Sequence, residues 1–247
     1  MELTDRAFWV NYWESKKEVV QIVSKRSPFS KLFNDTFQKS KINSALEIGG
    51  FPGYVSIALN KHYGVSQADL LDYFIHPKII QDLCDANEIK DGAIKAIEAD
   101  LFQDYNGSKY DLVHSHGLIE HFENSKHIIG QHLKFLKPTG ELLITLPNFR
   151  GVNGWFQRNF DKENYDKHYI PCMDVEHLKK STVALGLKDV DVQYYGEFSM
   201  WLENMNTKSA VFKLFFKSTW AFFKIINKII PVRNKTLSPY LIITAKQ

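Results

Sequence analysis

Cysteine is scarce in these 247 residues: Cys84 and Cys172 stand far apart in unrelated surroundings. That excludes a disulfide framework and a cysteine metal knuckle, and it suits a reducing, cytoplasmic setting. A dominant charge is missing as well, because 31 basic residues face 28 acidic ones for a net charge of +3. Nothing in that balance calls for a polyanionic partner. The N-terminus carries charges from Glu2 onward and has no apolar h-region, so no secretory leader is expected. Long uninterrupted apolar runs are absent too. The nearest, "AVFKLFFKSTWAFFKIINKII", is broken by Lys213, Lys217, Lys224 and Lys228, and a buried span would have to hide all four ammonium groups. No internal repeat or low-complexity tract is present.

What remains is 44% hydrophobic and 14% aromatic, enough for one substantial core. Residues 1–43 read as an N-terminal helical cap, with Phe8, Trp9, Tyr12, Trp13, Val19, Val20 and Val23 at helix-like spacing before the break at Ser27-Pro28. A second short helix is expected over 29–37. From Ser44 the texture changes to short apolar runs alternating with helical stretches, which predicts an α/β fold: a seven-stranded, mostly parallel, Rossmann-like sheet with helices on both faces. Strands are expected at 44–48, 67–71, 95–99, 111–115, 141–146, 188–195 and 237–245, and helices at 54–62, 77–87, 125–136 and 175–185. Pro77 suits a first helical turn, Asp174 an N-cap and Gly186 a C-terminal stop. Within the 44–247 domain, 148–171 reads as a lid-like insertion and 207–231 as a basic aromatic helix.

In "ALEIGGFPGYVSIAL" the first strand runs into Gly49-Gly50-Phe51-Pro52-Gly53, a turn that lets a ligand approach bare backbone at a helix N-terminus. The dinucleotide spacing G-x-G-x-x-G is not met. Glu47, two residues before Gly49, would repel a pyrophosphate but favours an ammonium or sulfonium cation. "VSQADLLDYF" offers Asp69 and Asp72 near the second strand's end. "AIEADLF" ends a third run on Asp100, followed by Leu101. "YDLVHSHGLIEHF" and "LKFLKPTGELLITLPN" follow in order.

These motifs resemble the class I S-adenosylmethionine-dependent methyltransferases, in the small-molecule branch. The resemblance implies S-adenosyl-L-methionine as cofactor, held by Glu47, Gly49, Gly50, Phe51, Gly53, Asp72, Asp100, Leu101 and Ser115. Asp72 is favoured over Asp69 for the ribose hydroxyls, and Asp100 reads the adenine amino group. Phe51 departs from the family's middle glycine, which keeps open a cofactor-binding scaffold without catalysis. Quinone O-methyltransferases show Glu-x-x-Glu-His where this chain has Gly117, Glu120 and His121, so no metal is expected.

If the acceptor is a hydroxyl of a small molecule, a sugar-containing or a lipid-linked metabolite, a histidine base is useful. His116, at the end of the fourth strand, is the first candidate, followed by His121 and His168; His114 reads as packed within the strand. Trp9, Trp13, Trp155 and Phe156 are candidate linings of the acceptor pocket. No Asn-Pro-Pro-Tyr-like motif follows the fourth strand, so nucleic acid is not expected and remains the lesser alternative. The 207–231 helix either packs on the core or on a second copy, or lies peripherally on a membrane.

Overall fold

A computed structural model describes residues 6–16, 18–229 and 231–247. Residues 1–5 and Lys17 of the expected cap, and Ile230 of the expected aromatic helix, lie outside the described residues. Seven strands form one sheet: β1 (Ser44–Ile48), β2 (Gln67–Asp72), β3 (Ala96–Glu98), β4 (Tyr110–His116), β5 (Leu136–Pro147), β6 (Lys188–Tyr195) and β7 (Tyr240–Lys246). Their order is β3-β2-β1-β4-β5-β7-β6. The first five are parallel, and β7 inserts antiparallel between β5 and β6. Nine α-helices lie among the described residues: α1 (Arg6–Glu14), α2 (Ser30–Lys39), α3 (Tyr54–Tyr63), α4 (Pro77–Ala86), α5 (Ser125–His132), α6 (Val152–Phe160), α7 (Lys162–Asp166), α8 (Val175–Val183) and α9 (Ala210–Ile229).

Period-two alternation assigns each strand residue a face. Leu46, Val113, Leu142 and Ile144 turn to one side and pack with Ile128 and Ile129 of α5 and Leu178 of α8. Ala45, Leu112, Leu143 and Ile242 turn to the other and meet Leu32 and Phe33 of α2 and Leu59 of α3. Both faces of the sheet are therefore covered, as its apolar runs require. Each such Leu or Ile contributes about 1.5–3 kcal/mol of hydrophobic stabilisation.

The N-terminal part departs from expectation. The helix stops at Glu14, and residues 18–26 are irregular rather than helical. Their backbone groups bond side chains of the domain instead of one another. Val19 O accepts from Tyr54 Oη at 2.6 Å, Val23 N donates to Asn87 Oδ1 at 2.7 Å, and Asn87 Nδ2 donates to Gln21 O at 2.9 Å. α5 also ends earlier than expected, because Leu136 already pairs with Tyr110 as the start of β5. The 148–171 insertion is mostly helical, forming α6, α7 and a turn at Ile170–Cys172. Asp174 caps α8 by accepting from His177 N, as expected. No helix among the described residues is long and apolar enough to cross a membrane.

Candidate active site

Two adjoining cavities open where the parallel strands end, the position that open α/β sheets reserve for ligands. The smaller, about 120 Å³, is lined by Gly49, Phe51, Asp72, Asp100, Leu101 and Phe102, with Trp9 and Trp13 of α1 across it. The larger, about 640 Å³, lies under α1 and the insertion, among Phe29, His116, Glu120, Phe149, His168 and Trp201. Trp9, Gly117 and His121 belong to both walls.

The smaller cavity is shaped by the glycine turn. Gly53 stands at φ +99° as the N-cap of α3, a left-handed conformation that a side chain would strain. Asp72 closes β2, its Oδ2 accepting from Phe51 N at 2.9 Å and its Oδ1 from Phe74 N at 3.2 Å. Burial pushes its carboxyl up to about 6 against the pull of those N–H groups. Asp100 accepts from Phe102 N at 2.9 Å, which turns the chain so that Leu101 and Phe102 wall the cavity. Each carboxylate oxygen has more than one lone pair, so both acids keep acceptor capacity for a ligand. Two acids at successive strand ends between flat apolar walls fit the ribose and adenine that the resemblance implies. α1 is tied across the opening by Arg6, whose Nη2 meets Glu98 Oε1 at 2.7 Å and whose Nε donates to Tyr73 O at 3.2 Å.

The other expected cofactor residues are placed differently. Glu47 does not line the cavity; its Oε2 accepts from Ser56 N and Ser56 Oγ at 3.0 and 2.9 Å, so this carboxylate serves the first turn of α3. Ser115 is buried on the other side of β4, bonded to His132 Nε2 at 2.9 Å. Asp69 is also buried away from the cavity, accepting from Tyr110 Oη at 2.8 Å, which leaves Asp72 as the β2 acid in the wall. Gly50 and Gly53 shape the turn without lining the cavity. Phe51 turns its ring into a cluster with Leu70 and Ile75, edge-on to Trp13 at 5.1 Å and to Phe74 at 5.6 Å.

In the larger cavity His116 is held at both ring nitrogens: Nδ1 lies 2.9 Å from Thr145 Oγ1 and Nε2 3.1 Å from His114 Nδ1. Phe29 stacks on its face at 5.3 Å. The first candidate base therefore has no unengaged nitrogen for an acceptor. His121 and His168 are arranged differently. His121 Nδ1 lies 2.9 Å from Lys167 O and His168 Nδ1 2.7 Å from Asn164 O. A carbonyl can only accept, so each Nδ1 carries the proton and each Nε2 presents a lone pair. Burial, then the neighbouring His168, brings His121 down to about 3, and burial brings His168 down to about 4.

Glu120 joins them. One ligand atom from each of Glu120, His121 and His168 falls within 4.8 Å of the others. Glu120 is buried, its Oε2 has no protein partner, and burial pushes its carboxyl up to about 8. The sequence pattern marks Glu120 only as part of an incomplete metal motif and does not show its burial beside the two histidines. Its environment is built by the insertion: Tyr169 N donates to Glu120 O at 2.7 Å, bringing His168 across 47 intervening residues. Gly117, where the quinone enzymes carry a carboxylate, has φ +70° and suits no such side chain. In a second cluster, Glu47 and His114 are buried behind His116, which itself lines the larger cavity. Trp13 lines the smaller cavity, whereas Trp155 and Phe156, expected in the acceptor pocket, line neither cavity.

The chain matches the methyltransferase domain family over residues 17–192. Among solved structures, the plantazolicin methyltransferase BamL, crystallised with a triazolic desmethylPZN analog and SAH, is 16% identical at TM-score 0.59, covering 97% of this chain and 89% of its own. A SAM-dependent methyltransferase from Archaeoglobus fulgidus is 18% identical at TM-score 0.53, covering 90% and 96%. Phosphoethanolamine N-methyltransferase 2 of Haemonchus contortus, with S-adenosyl-L-methionine, is 15% identical at TM-score 0.54, covering 90% and 53%. At such identities the likeness is one of fold. No curated protein sequence matches the chain.

Proposed function

Because this chain belongs to the S-adenosylmethionine-dependent methyltransferases, we propose that it methylates a hydroxyl of a small molecule, such as a sugar-containing or lipid-linked metabolite, held in the larger cavity. The observation that carries this reading is the wall common to the two cavities. A group passing Trp9, Gly117 and His121 leaves the smaller one and arrives beside Glu120, His121 and His168. S-adenosylmethionine supplies a methyl group already activated on a sulfonium. The protein's share is then alignment and exclusion of water.

Asp72 and Asp100 hold the nucleoside, and Trp9 and Trp13 cover it. Phe149, Trp201 and Tyr240 give the acceptor flat apolar walls, suited to a ring or to the carbon face of a sugar. A hydroxyl stays protonated at neutral pH and needs a base. Glu120, with its carboxyl near 8, is basic enough to take that proton and still partly ionised at neutrality. His121 and His168 stay neutral, and their Nε2 lone pairs orient the acceptor by accepting from its other donors, since the reacting hydroxyl gives its single proton to Glu120. Transfer from methyl-tritiated cofactor to hydroxylated acceptors tests this, with Glu120→Gln slowing kcat by about 10²–10⁴-fold while cofactor affinity is kept. A labelled product methylated on nitrogen contradicts the hydroxyl acceptor, and an unreduced rate removes Glu120 as the base.

One observation favours a second reading of the same trio. An unpartnered Glu120 Oε2 beside two imidazoles anchored by carbonyls is also a donor set for a borderline divalent ion such as zinc. Metal analysis and turnover after chelation separate the two. A chelator-insensitive rate supports proton acceptance alone, and a rate lost and then restored by zinc supports the ion.

A further inference from the structure

Helix α9 has two apolar faces, and only one is used by the fold. Phe212, Phe216, Trp220 and Phe223 pack with Phe156, Phe198, Met200 and Leu202 in a separate small core. The other face carries Val211, Leu214, Phe215, Phe222, Ile225 and Ile229, each between 51 and 80% exposed. At about 100° per residue these six fall within an arc of about 100°, a stripe about 27 Å long interrupted only by Ser218. Lys213, Lys217, Lys224 and Lys228 fall within the adjacent arc of about 60°. Packing, one of the alternatives posed by the sequence, thus uses only one face of the helix and leaves the other exposed.

Charge identifies the occupant. From Asn204 to Gln247 the chain has eight cations and no acid, which leaves 23 cations against 28 acids in everything before it. The positive charge is therefore concentrated on the segment that also carries the exposed stripe. A second copy paired through α9 would bring four more lysines and no acid to pair with any of them. A bilayer with anionic headgroups accepts both features, the stripe among its acyl chains and the lysines at the phosphates. Trp155 of α6, half-exposed and edge-on to Phe156 at 4.9 Å, adds an aromatic ring of the kind favoured at such an interface.

We propose that α9 docks this protein, lengthwise and without spanning, on an anionic phospholipid surface through its Val211 to Ile229 stripe and its lysine row. No α9 residue lines either cavity, so docking leaves the site intact. It would also keep the enzyme at a surface where an apolar or lipid-linked acceptor is concentrated.

The test is co-sedimentation of the full chain with vesicles of phosphatidylcholine alone and of phosphatidylcholine mixed with phosphatidylglycerol, at low and high salt. Two variants accompany it: Lys213→Gln, Lys217→Gln, Lys224→Gln, Lys228→Gln together, and Leu214→Ser, Phe222→Ser, Ile225→Ser together. Unchanged affinity for S-adenosylhomocysteine shows that each is folded. The expected result is binding to the anionic vesicles that weakens with salt, falls roughly fivefold for each lysine removed, and drops at least tenfold for the serine variant. No binding to anionic vesicles, or binding undiminished in both variants, overturns the proposal. So does a dimer in sedimentation velocity that the serine variant dissociates, because a second copy would then occupy the stripe.

Discussion

Asp72→Asn removes one charge from the smaller cavity while nearly keeping the side chain's shape. The carboxylate already accepts from Phe51 N and Phe74 N, and its remaining lone pairs are the ones a ribose would use. Hydrogen bonds to a charged group contribute about 1.5–3 kcal/mol, so cofactor affinity should fall by about 10- to 150-fold at neutral pH. The pH dependence sharpens the test. Burial raises the folded carboxyl from 3.8 to about 6, so the wild type loses its acceptor charge as pH falls through 6. Affinity should then weaken by up to about tenfold per pH unit below 6 until it reaches the level of the asparagine variant, which should show no such limb. Unfolding does not mimic this effect through Asp72. A carboxyl whose folded pKa lies above its unfolded value favours the folded state more as pH falls from 6 towards 4. Calorimetric titration with S-adenosylhomocysteine across this range is the assay. Equal affinities at neutral pH, or parallel pH curves for the two proteins, would refute the role of Asp72.

Turnover should rise with pH and level off above about 8, the range where Glu120 ionises, and Glu120→Gln should flatten that limb in a pH–kcat profile. His168→Ala should lower kcat and raise KM together, whereas His116→Ala should leave the chemical step nearly intact and cost about 1–3 kcal/mol of stability, since it strips partners from buried His114 and Thr145; steady-state kinetics beside denaturant unfolding distinguish these outcomes. Gly50→Ala would set a Cβ 2.5 Å from Glu47 Cγ, and the resulting overpacking should cost about 1–3 kcal/mol, measured by chemical denaturation.

The parts of the fold written locally were legible. The strand-to-glycine turn at 48–53, Asp72 at the end of β2, Asp100 just beyond β3, Pro77 in the first turn of α4 and the Asp174 cap each depend on neighbours within a few residues. Features set by distant partners were not. Val19, Val20 and Val23 recur with a helical rhythm, yet Tyr54 and Asn87 draw that backbone into an irregular path. Strand register decides that Ser115 faces His132 rather than a ligand, and a shift of one residue would reverse it. Trp155 and Phe156 looked like pocket residues, but α6 turns Phe156 to α9 instead. The cluster of Glu120, His121 and His168 was only partly readable, because Glu120 and His121 share a turn while His168 reaches them through backbone bonds of the insertion.

Transfer between the two cavities depends on where the reacting sulfur sits. A crystal structure of the complex with S-adenosylhomocysteine should place the ribose hydroxyls on Asp72 and the sulfur at the Trp9, Gly117 and His121 boundary, facing Glu120. A sulfur directed away from the larger cavity, or a nucleoside bound elsewhere on the sheet, would contradict it.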